Sequence, residues 1–251
     1  SVSDYLRGVL AAEMPVSFEQ EALRAQAVAA RSYLQRSIET GRHENADICS
    51  SPDCCQAYMS DDELRESWGK SFDTYAELIN SAVSGTDGEY LSYDGEVAFC
   101  AFHSSSPGAT EASASVWNEV PYLVSVSSPE SSDDVPGYVS TLTLTDIDFR
   151  DTILYARPDA NMTGDADTWI ETPKYNNSGR VESVRIGGEE FSGVELRSLF
   201  SLRSAAFEIS HNDGCFTFTV TGYGHGVGMS QYGAEAMARD GCSHRDILLH
   251  Y

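Results

Sequence analysis

The chain has 251 residues, 41% of them hydrophobic and 10% aromatic, which supports a sizeable buried core and excludes a disordered protein. Its formal net charge is −23 with Lys70 and Lys174 as the two lysines, which makes nucleic acid and anionic membrane surfaces poor partners, because binding them brings like charges together. No apolar run approaches the roughly 18 residues that cross a membrane, and no signal peptide is expected within these residues. The chain opens inside a helical pattern at Ser1 and stops on Ile247-Leu248-Leu249, so an anchor or targeting segment is expected to lie outside it.

In the first helix, with Ser3 as candidate N-cap, apolar side chains recur at Leu6, Val9 and Leu10, and the next member of that stripe is Glu13. A carboxyl group therefore stands where a core residue is expected. Burial there disfavours the charged form and raises the pKa, as a general acid working near neutral pH requires. Met14 precedes Pro15 and ends the helix. Ser17 and Gln20 have capping-box spacing for a second helix, and Gly41 offers its stop. Between them Leu23, Ala27, Ala30, Leu34 and Ile38 form one apolar stripe of about five turns. Arg24 and Arg31 share a face beside the stripe, near the start of the helix.

A turn-rich loop follows, RHENADICSSPDCCQAY, in which His43, Cys49, Cys54 and Cys55 have H-x5-C-x4-C-C spacing. Four soft ligands so close together suit a tetrahedral zinc ion. Disulfides with Cys100, Cys215 or Cys242, or free buried thiols, are the competing readings. Helices are predicted over 61–69 and 75–83, then strands 89–93 and 97–102 turning at Asp94-Gly95. The second strand delivers His103-Ser104-Ser105-Ser106 into a Pro-Gly loop. With Thr110 and Glu111 beyond it, a serine, a histidine and a glutamate together suggest nucleophilic catalysis on paper, but there is no G-x-S-x-G elbow, and turn-forming serines are the simpler reading.

The Ser-rich, acidic segment 125–140 marks a boundary. Beyond it Thr145 caps a predicted helix over 146–156, Gly187-Gly188 joins strands 181–186 and 189–191, and 194–202 reads as a helix. Residues 216–221 alternate like a strand and lead into GYGHGVGMSQYGA, a glycine run carrying His225. Its spacing is not that of a phosphate loop. Ser230 then caps a helix over 231–239. The whole predicts an α+β fold, a long N-terminal helix packed on antiparallel β structure. Residues 1–126 and 214–251 form the core, and 127–213 an inserted α/β lobe or arm.

Taken together, AAEMP with EALRAQAVAARSY, the DIC and CQAY loop, FHSSSPGATE with VW and PYL, and GHGVGMSQYGA with ILLHY resemble the stage II sporulation protein D family. The motifs occur in family order and reach from Tyr5 to Tyr251, although the arm matches loosely. The resemblance implies a peptidoglycan lytic transglycosylase acting in engulfment, with Glu13 as its catalytic residue. The expected substrate is glycan stripped of stem peptides, cleaved between N-acetylmuramic acid and N-acetylglucosamine to leave 1,6-anhydro ends. Arg24 and Arg31 stand where the family carries basic residues and are expected to read the freed lactyl carboxylate. Tyr122, His103, Ser104, His225 and Gln231 are expected on the glycan, whereas Val124 replaces the lysine of the family's PYLK segment. The resemblance also implies structural Zn2+ on the Cys loop, His43, Cys49, Cys54 and Cys55 giving a Cys3His set, with no cofactor for catalysis. Its implied partners are a sporulation wall amidase and a membrane protein. The implied place is the mother-cell membrane, as an extracytoplasmic, anchored ectodomain. A non-enzymatic module that enhances a wall amidase is the alternative.

Overall fold

The computed structural model describes residues 1–41, 43–51 and 54–251, so Arg42, Pro52 and Asp53 of the Cys loop lie outside the described residues. It has two compact units, residues 1–102 with 234–251, and residues 103–233. The expected arm, 127–213, lies wholly within the second unit, which also takes in 103–126 and 214–233.

The first unit is helical. Helix α1 (Val2–Glu13) is capped by Ser1, whose side chain and the Asp4 carboxylate form a reciprocal box, two residues earlier than the expected Ser3 cap. Leu6, Val9 and Leu10 are buried and the helix ends on Glu13, so the predicted stripe and its carboxyl member are both realised. Helix α2 (Gln20–Thr40) begins with Glu19 at its N-cap and no side-chain cap bond, so the expected Ser17 box does not form. Its end is as predicted, with Gly41 in the left-handed conformation at φ 61°. Nearly every residue from Ala22 to Leu34 is buried, the pattern of a helix enclosed on all sides. Its neighbours are α1, α4 (Phe72–Ser84) and α8 (His244–His250), so it packs in helices more than on strands. Helix α3 (Asp61–Trp68) follows the Cys loop, and Asp94 and Gly95, both at positive φ, make the tight turn between β1 (Ser92–Tyr93) and β2 (Glu96–Val97).

In the second unit β3 (Phe102–His103) brings the chain in and β4 (Val139–Thr145) pairs antiparallel with β9 (Cys215–Thr221), which also takes β8 (Phe207–Asn212). A second antiparallel sheet has the order β5 (Lys174–Tyr175), β6 (Val181–Ile186), β7 (Glu189–Ser192). Helices α5 (Asp146–Ala156) and α6 (Gly193–Leu199) complete it. Phe149, Phe200, Phe216 and Phe218 stack in one core with Ile153, Ile186 and Leu196. In the acidic segment 125–140, read as a boundary, Ser128 and Glu130 are buried, and Glu130 accepts from Ser106 N–H at 2.6 Å and from Ser230 Oγ at 2.5 Å. One carboxylate thus ties the serine loop to the end of the glycine run, and β10 (Met229–Ser230) leads into α7 (Gln231–Arg239) at the predicted position.

His211 on β8 donates through Nε2 to Asp146 at 2.7 Å and through Nδ1 to Asp167, so both nitrogens are protonated. The two carboxylates raise its pKa above 6.5. A raised value means the clasp stabilises fully below the unfolded pKa, about 6.5, and is lost as pH rises through the higher folded value. His211→Gln is therefore expected to lower the melting temperature at pH 6 and to matter little at pH 9. Equal loss at both pH values would show that the ring acts through packing alone.

Candidate functional site

Glu13 is the last residue of α1 and is half-buried. Its Oε1 accepts a 2.7 Å hydrogen bond from Ala57 N–H. Burial raises its pKa from 4.5 and the Ala57 N–H opposes that shift. The group combines a favoured neutral acid with one donor in place to receive the carboxylate that proton donation leaves.

That donor belongs to the Cys loop, which is fastened to α1 in several ways. Met59 N–H donates to the Gly8 carbonyl at 3.2 Å, Tyr5 OH to Gln56 Oε1 at 3.1 Å, and the Tyr5 and Tyr58 rings stack 5.9 Å apart. Gly8 makes this approach feasible, since a Cβ there would lie 2.3 Å from the Tyr58 ring. Tyr33 OH of α2 donates to the Cys54 carbonyl at 3.2 Å. The four predicted ligands converge: one ligand atom from each of His43, Cys49, Cys54 and Cys55 lies within 4.8 Å of the other three. His43 Nε2 is 3.1 Å from Cys55 Sγ and 3.9 Å from Cys54 Sγ, and the two sulfurs are 3.9 Å apart. Tetrahedral bonds of about 2.1 to 2.3 Å put ligand atoms at about these separations. The sulfur distance is nearly twice a disulfide bond of about 2.05 Å, and all six cysteines are free thiols.

The two arginines part company. Arg24 is half-exposed and pairs with Glu21, whose other oxygen accepts from His244 N–H at 2.7 Å. Arg31 is 8% exposed. Its Nη2 donates to the Val83 carbonyl at 3.1 Å and its Nη1 to the Glu89 carbonyl at 3.0 Å, with Thr86 Oγ1 at 3.4 Å. A cation held on the Val83 carbonyl in the last turn of α4 complements the helix dipole, and a ligand-reading role for Arg31 is corrected to a structural one.

The remaining predicted residues lie in the second unit. His103 is 4% exposed and both its nitrogens are used. A carbonyl can only accept, so Nδ1–H donates to Val227 at 3.2 Å and Nε2 accepts from Ser106 Oγ at 2.6 Å. Burial, with His225 and Arg180 nearby, holds its pKa well below 6.5. The expected glycan contact of His103 is therefore corrected, for its ring has no hydrogen-bonding atom left. The serine-hydrolase reading, Ser104 or a neighbouring serine with His103, meets Ser106 on the ring, but Ser106 is fully buried and out of a substrate's reach. Ser104 presents its carbonyl to Tyr232 N–H at 3.1 Å. His225 accepts from Val227 N–H at 3.1 Å and its ring lies 4.6 Å from Trp117 and 5.7 Å from His103. Gly224, at φ 113°, lets the glycine run pass His103, where a Cβ would meet the His103 Cβ at 2.7 Å. Tyr122 is half-buried, Val124 is exposed, and Gln231 is buried at the start of α7.

The family profile described as Stage II sporulation protein matches residues 1–93. Over its whole length the chain is 36% identical to Stage II sporulation protein D of Bacillus amyloliquefaciens and covers 72% of that protein. It is 35% identical to Stage II sporulation protein D of Bacillus subtilis (strain 168), again covering all of this chain and 72% of the relative. The chain belongs to the stage II sporulation protein D family. A more distant relative of this family member is the Amidase enhancer of Bacillus subtilis (strain 168), 30% identical over 98% of this chain and 39% of that protein. The family match covers Glu13, both arginines and the Cys loop, and stops at Tyr93, so the second unit rests on the full-length relatives.

What sequence reasoning missed is instructive. The Ala57 N–H is a backbone group and has no signature in the residue it belongs to. Buried Arg180 and half-buried Asn176 were missed as neighbours of Glu111, their one sequence sign being the turn Asn177-Ser178-Gly179 before a strand.

Proposed function

We propose that this member of the sporulation family is a lytic transglycosylase that cuts stem-peptide-free glycan between N-acetylmuramic acid and N-acetylglucosamine. The observation that carries the reading is Glu13, a half-buried carboxyl with a raised pKa and a backbone N–H on Oε1. Neutral Glu13 donates its proton to the glycosidic oxygen, and the C1–O bond breaks. The carboxylate, held by Ala57 N–H, then takes the proton from the C6 hydroxyl of the same muramic sugar as that oxygen bonds to C1. The nucleophile belongs to the substrate, so the second carboxylate of ordinary glycosidases is not required. Product analysis by mass spectrometry of stem-peptide-free glycan after incubation with the chain tests it. Anhydro-muramic ends support the reading, and reducing ends or intact glycan sink it.

In this reading His43, Cys49, Cys54 and Cys55 hold a zinc ion whose four protein ligands leave no open position, so its contribution is structural. It fixes the loop that presents Ala57 N–H to Glu13. Protein purified without added metal is expected to carry one zinc per chain, and removal by a chelator to lower the melting temperature and product formation together. Zinc-free protein with an unchanged melting temperature would remove the metal from the account. The localisation we infer is extracytoplasmic and membrane-anchored, facing the septal wall. No helix among the described residues is long and apolar enough to cross a membrane.

A second reading follows from the relative named Amidase enhancer and from Val124 in place of the family lysine. It makes the chain a glycan-binding module that raises the rate of a wall amidase. A rise in amidase turnover on sacculi when the Glu13→Gln variant is added, without anhydro ends, is the result that favours it.

A further inference from the structure

The second unit contains a cavity of about 290 Å³, at the small end of the roughly 300–1,000 Å³ that ligand pockets occupy and sufficient for one sugar unit. Val116, Val181, Val194 and Ala205 give it apolar wall, Arg180 and Arg197 give it cations, and the His225 ring lines it as well. Such a concentration of positive groups stands out in a chain of net charge −23.

Two carboxylates also line the cavity, Glu111 and Glu182. Glu111 is occupied by the protein itself: Oε1 accepts from Ala112 N–H at 2.8 Å, and Oε2 from Asn176 Nδ2 at 2.6 Å and Ser178 Oγ at 2.7 Å. Glu182 is exposed and solvated. Arg180 is 3% exposed, with Nη1 donating to the Ala109 carbonyl at 2.9 Å and Nη2 3.5 Å from Ser106 Oγ. Its Nε is buried with no hydrogen-bond partner among the described residues. Arg197 donates through Nε to the Arg203 carbonyl at 3.3 Å, and among the described residues no hydrogen bond engages its two Nη atoms. Burial lowers the pKa of both guanidinium groups; for Arg180 the Glu111 and Glu130 carboxylates oppose that shift, and the charge of Arg197 adds to it. A bound anion satisfies donors that are otherwise idle, the buried Arg180 Nε and the Arg197 Nη atoms. Beside the cavity Trp117, which follows Val116, is 45% exposed and has its ring 4.6 Å from that of His225. An exposed indole that adjoins two residues lining the recess, Val116 in sequence and His225 in space, offers a platform for the C–H face of a sugar.

The geometry points to a binding site for an acidic sugar, its carboxylate taken by Arg197 with Arg180 and its ring laid on Trp117. The inference rests on the glycan reading above and assigns the lactyl carboxylate of a muramic unit to these residues, where Arg31 cannot serve. It concerns binding, and Glu13 takes no part in it.

Calorimetric titration of the full chain with N-acetylmuramic acid, N-acetylglucosamine and D-alanyl-D-alanine tests it. The muramic sugar is expected to bind about tenfold or more tightly than the neutral sugar, the scale of one charge-assisted hydrogen-bond pair. Arg197→Gln is expected to erase that preference at an unchanged melting temperature. Trp117→Ala, at an exposed position, is expected to weaken both sugars and keep their ratio. Equal affinity for the two sugars, tighter binding of the dipeptide, or a preference that survives Arg197→Gln overturns the site. Glu13→Gln is expected to retain the binding, so failure of the transglycosylase chemistry and failure of this site are read separately.

Discussion

Glu13→Gln is expected to lower formation of anhydro-ended product by about 10²- to 10⁴-fold, the usual contribution of a positioned general acid, while leaving the melting temperature unchanged or raised at neutral pH. The amide keeps an Oε1 that accepts from Ala57 N–H, so the junction between α1 and the Cys loop is preserved. It has no acidic proton, so the step that needs one is lost. The effect on stability follows from the direction of the pKa shift. Burial raises the folded value above 4.5, which means folding favours the neutral acid. That contribution is full below the unfolded pKa and is lost as pH rises through the folded one, so the ionised carboxylate weakens the fold at pH 7. Glutamine removes this penalty. Thermal melts at pH 4 and pH 8 separate the effects: the variant gains on the wild type at the higher pH. Product formation by wild type is expected to fall as pH rises through the Glu13 pKa, because the acid must be protonated at the start. A Glu13→Gln protein that makes anhydro ends at the wild-type rate would show that Glu13 is not the acid.

The sequence made elements legible where one residue decides a local event. Gly41 ends α2, Thr145 begins α5 and Gly187-Gly188 turn β6 into β7 because each position has few competing conformations. The glutamate on the α1 stripe was legible for the same reason, as a charge that breaks a period of apolar positions. The Cys loop was legible as a convergence of soft ligands in short spacing, without any statement of how it meets α1. Strands β4 and β8 were missed: β4 has alternating threonines in a region whose composition reads as a loop, and its partner β9 lies some seventy residues on. Glu130 illustrates the same limit. An acidic residue among serines reads as solvated, and only the fold brings Ser106 and Ser230 to its carboxylate. Helical spacing likewise puts Arg24 and Arg31 on one face but does not say what covers it. Buried backbone carbonyls outside helix interiors need donors, and that need belongs to tertiary structure.

Arg31→Ala is expected to destabilise the chain by about 2–4 kcal/mol, through the loss of charge-assisted hydrogen bonds and the exposure of buried carbonyls without donors. For a chain of this size that is a fall in melting temperature of roughly 5–15 °C. The guanidinium serves the Val83 carbonyl in the last turn of α4 and the Glu89 carbonyl beyond it, while Thr86 Oγ1 donates to Ala82 at 3.0 Å in the same turn. Deleting it frees the α4 C-terminus, and with it the segment where Leu91 N–H donates to Ser32 Oγ at 2.9 Å on α2. Arg31→Lys keeps a charge on a side chain that cannot fork to two carbonyls, and is expected to fall between the alanine variant and wild type. Burial lowers the guanidinium pKa, with Asp87 and Glu89 opposing, so the residue stays a cation throughout the working pH range. Because none of these atoms faces a ligand, product formation per folded molecule at 20 °C is expected to match wild type for both variants. Melts and product assays on one preparation decide the matter: lost activity with an unchanged melting temperature would return Arg31 to the substrate, whereas lost stability with intact activity fixes it as the brace of α4 against α2.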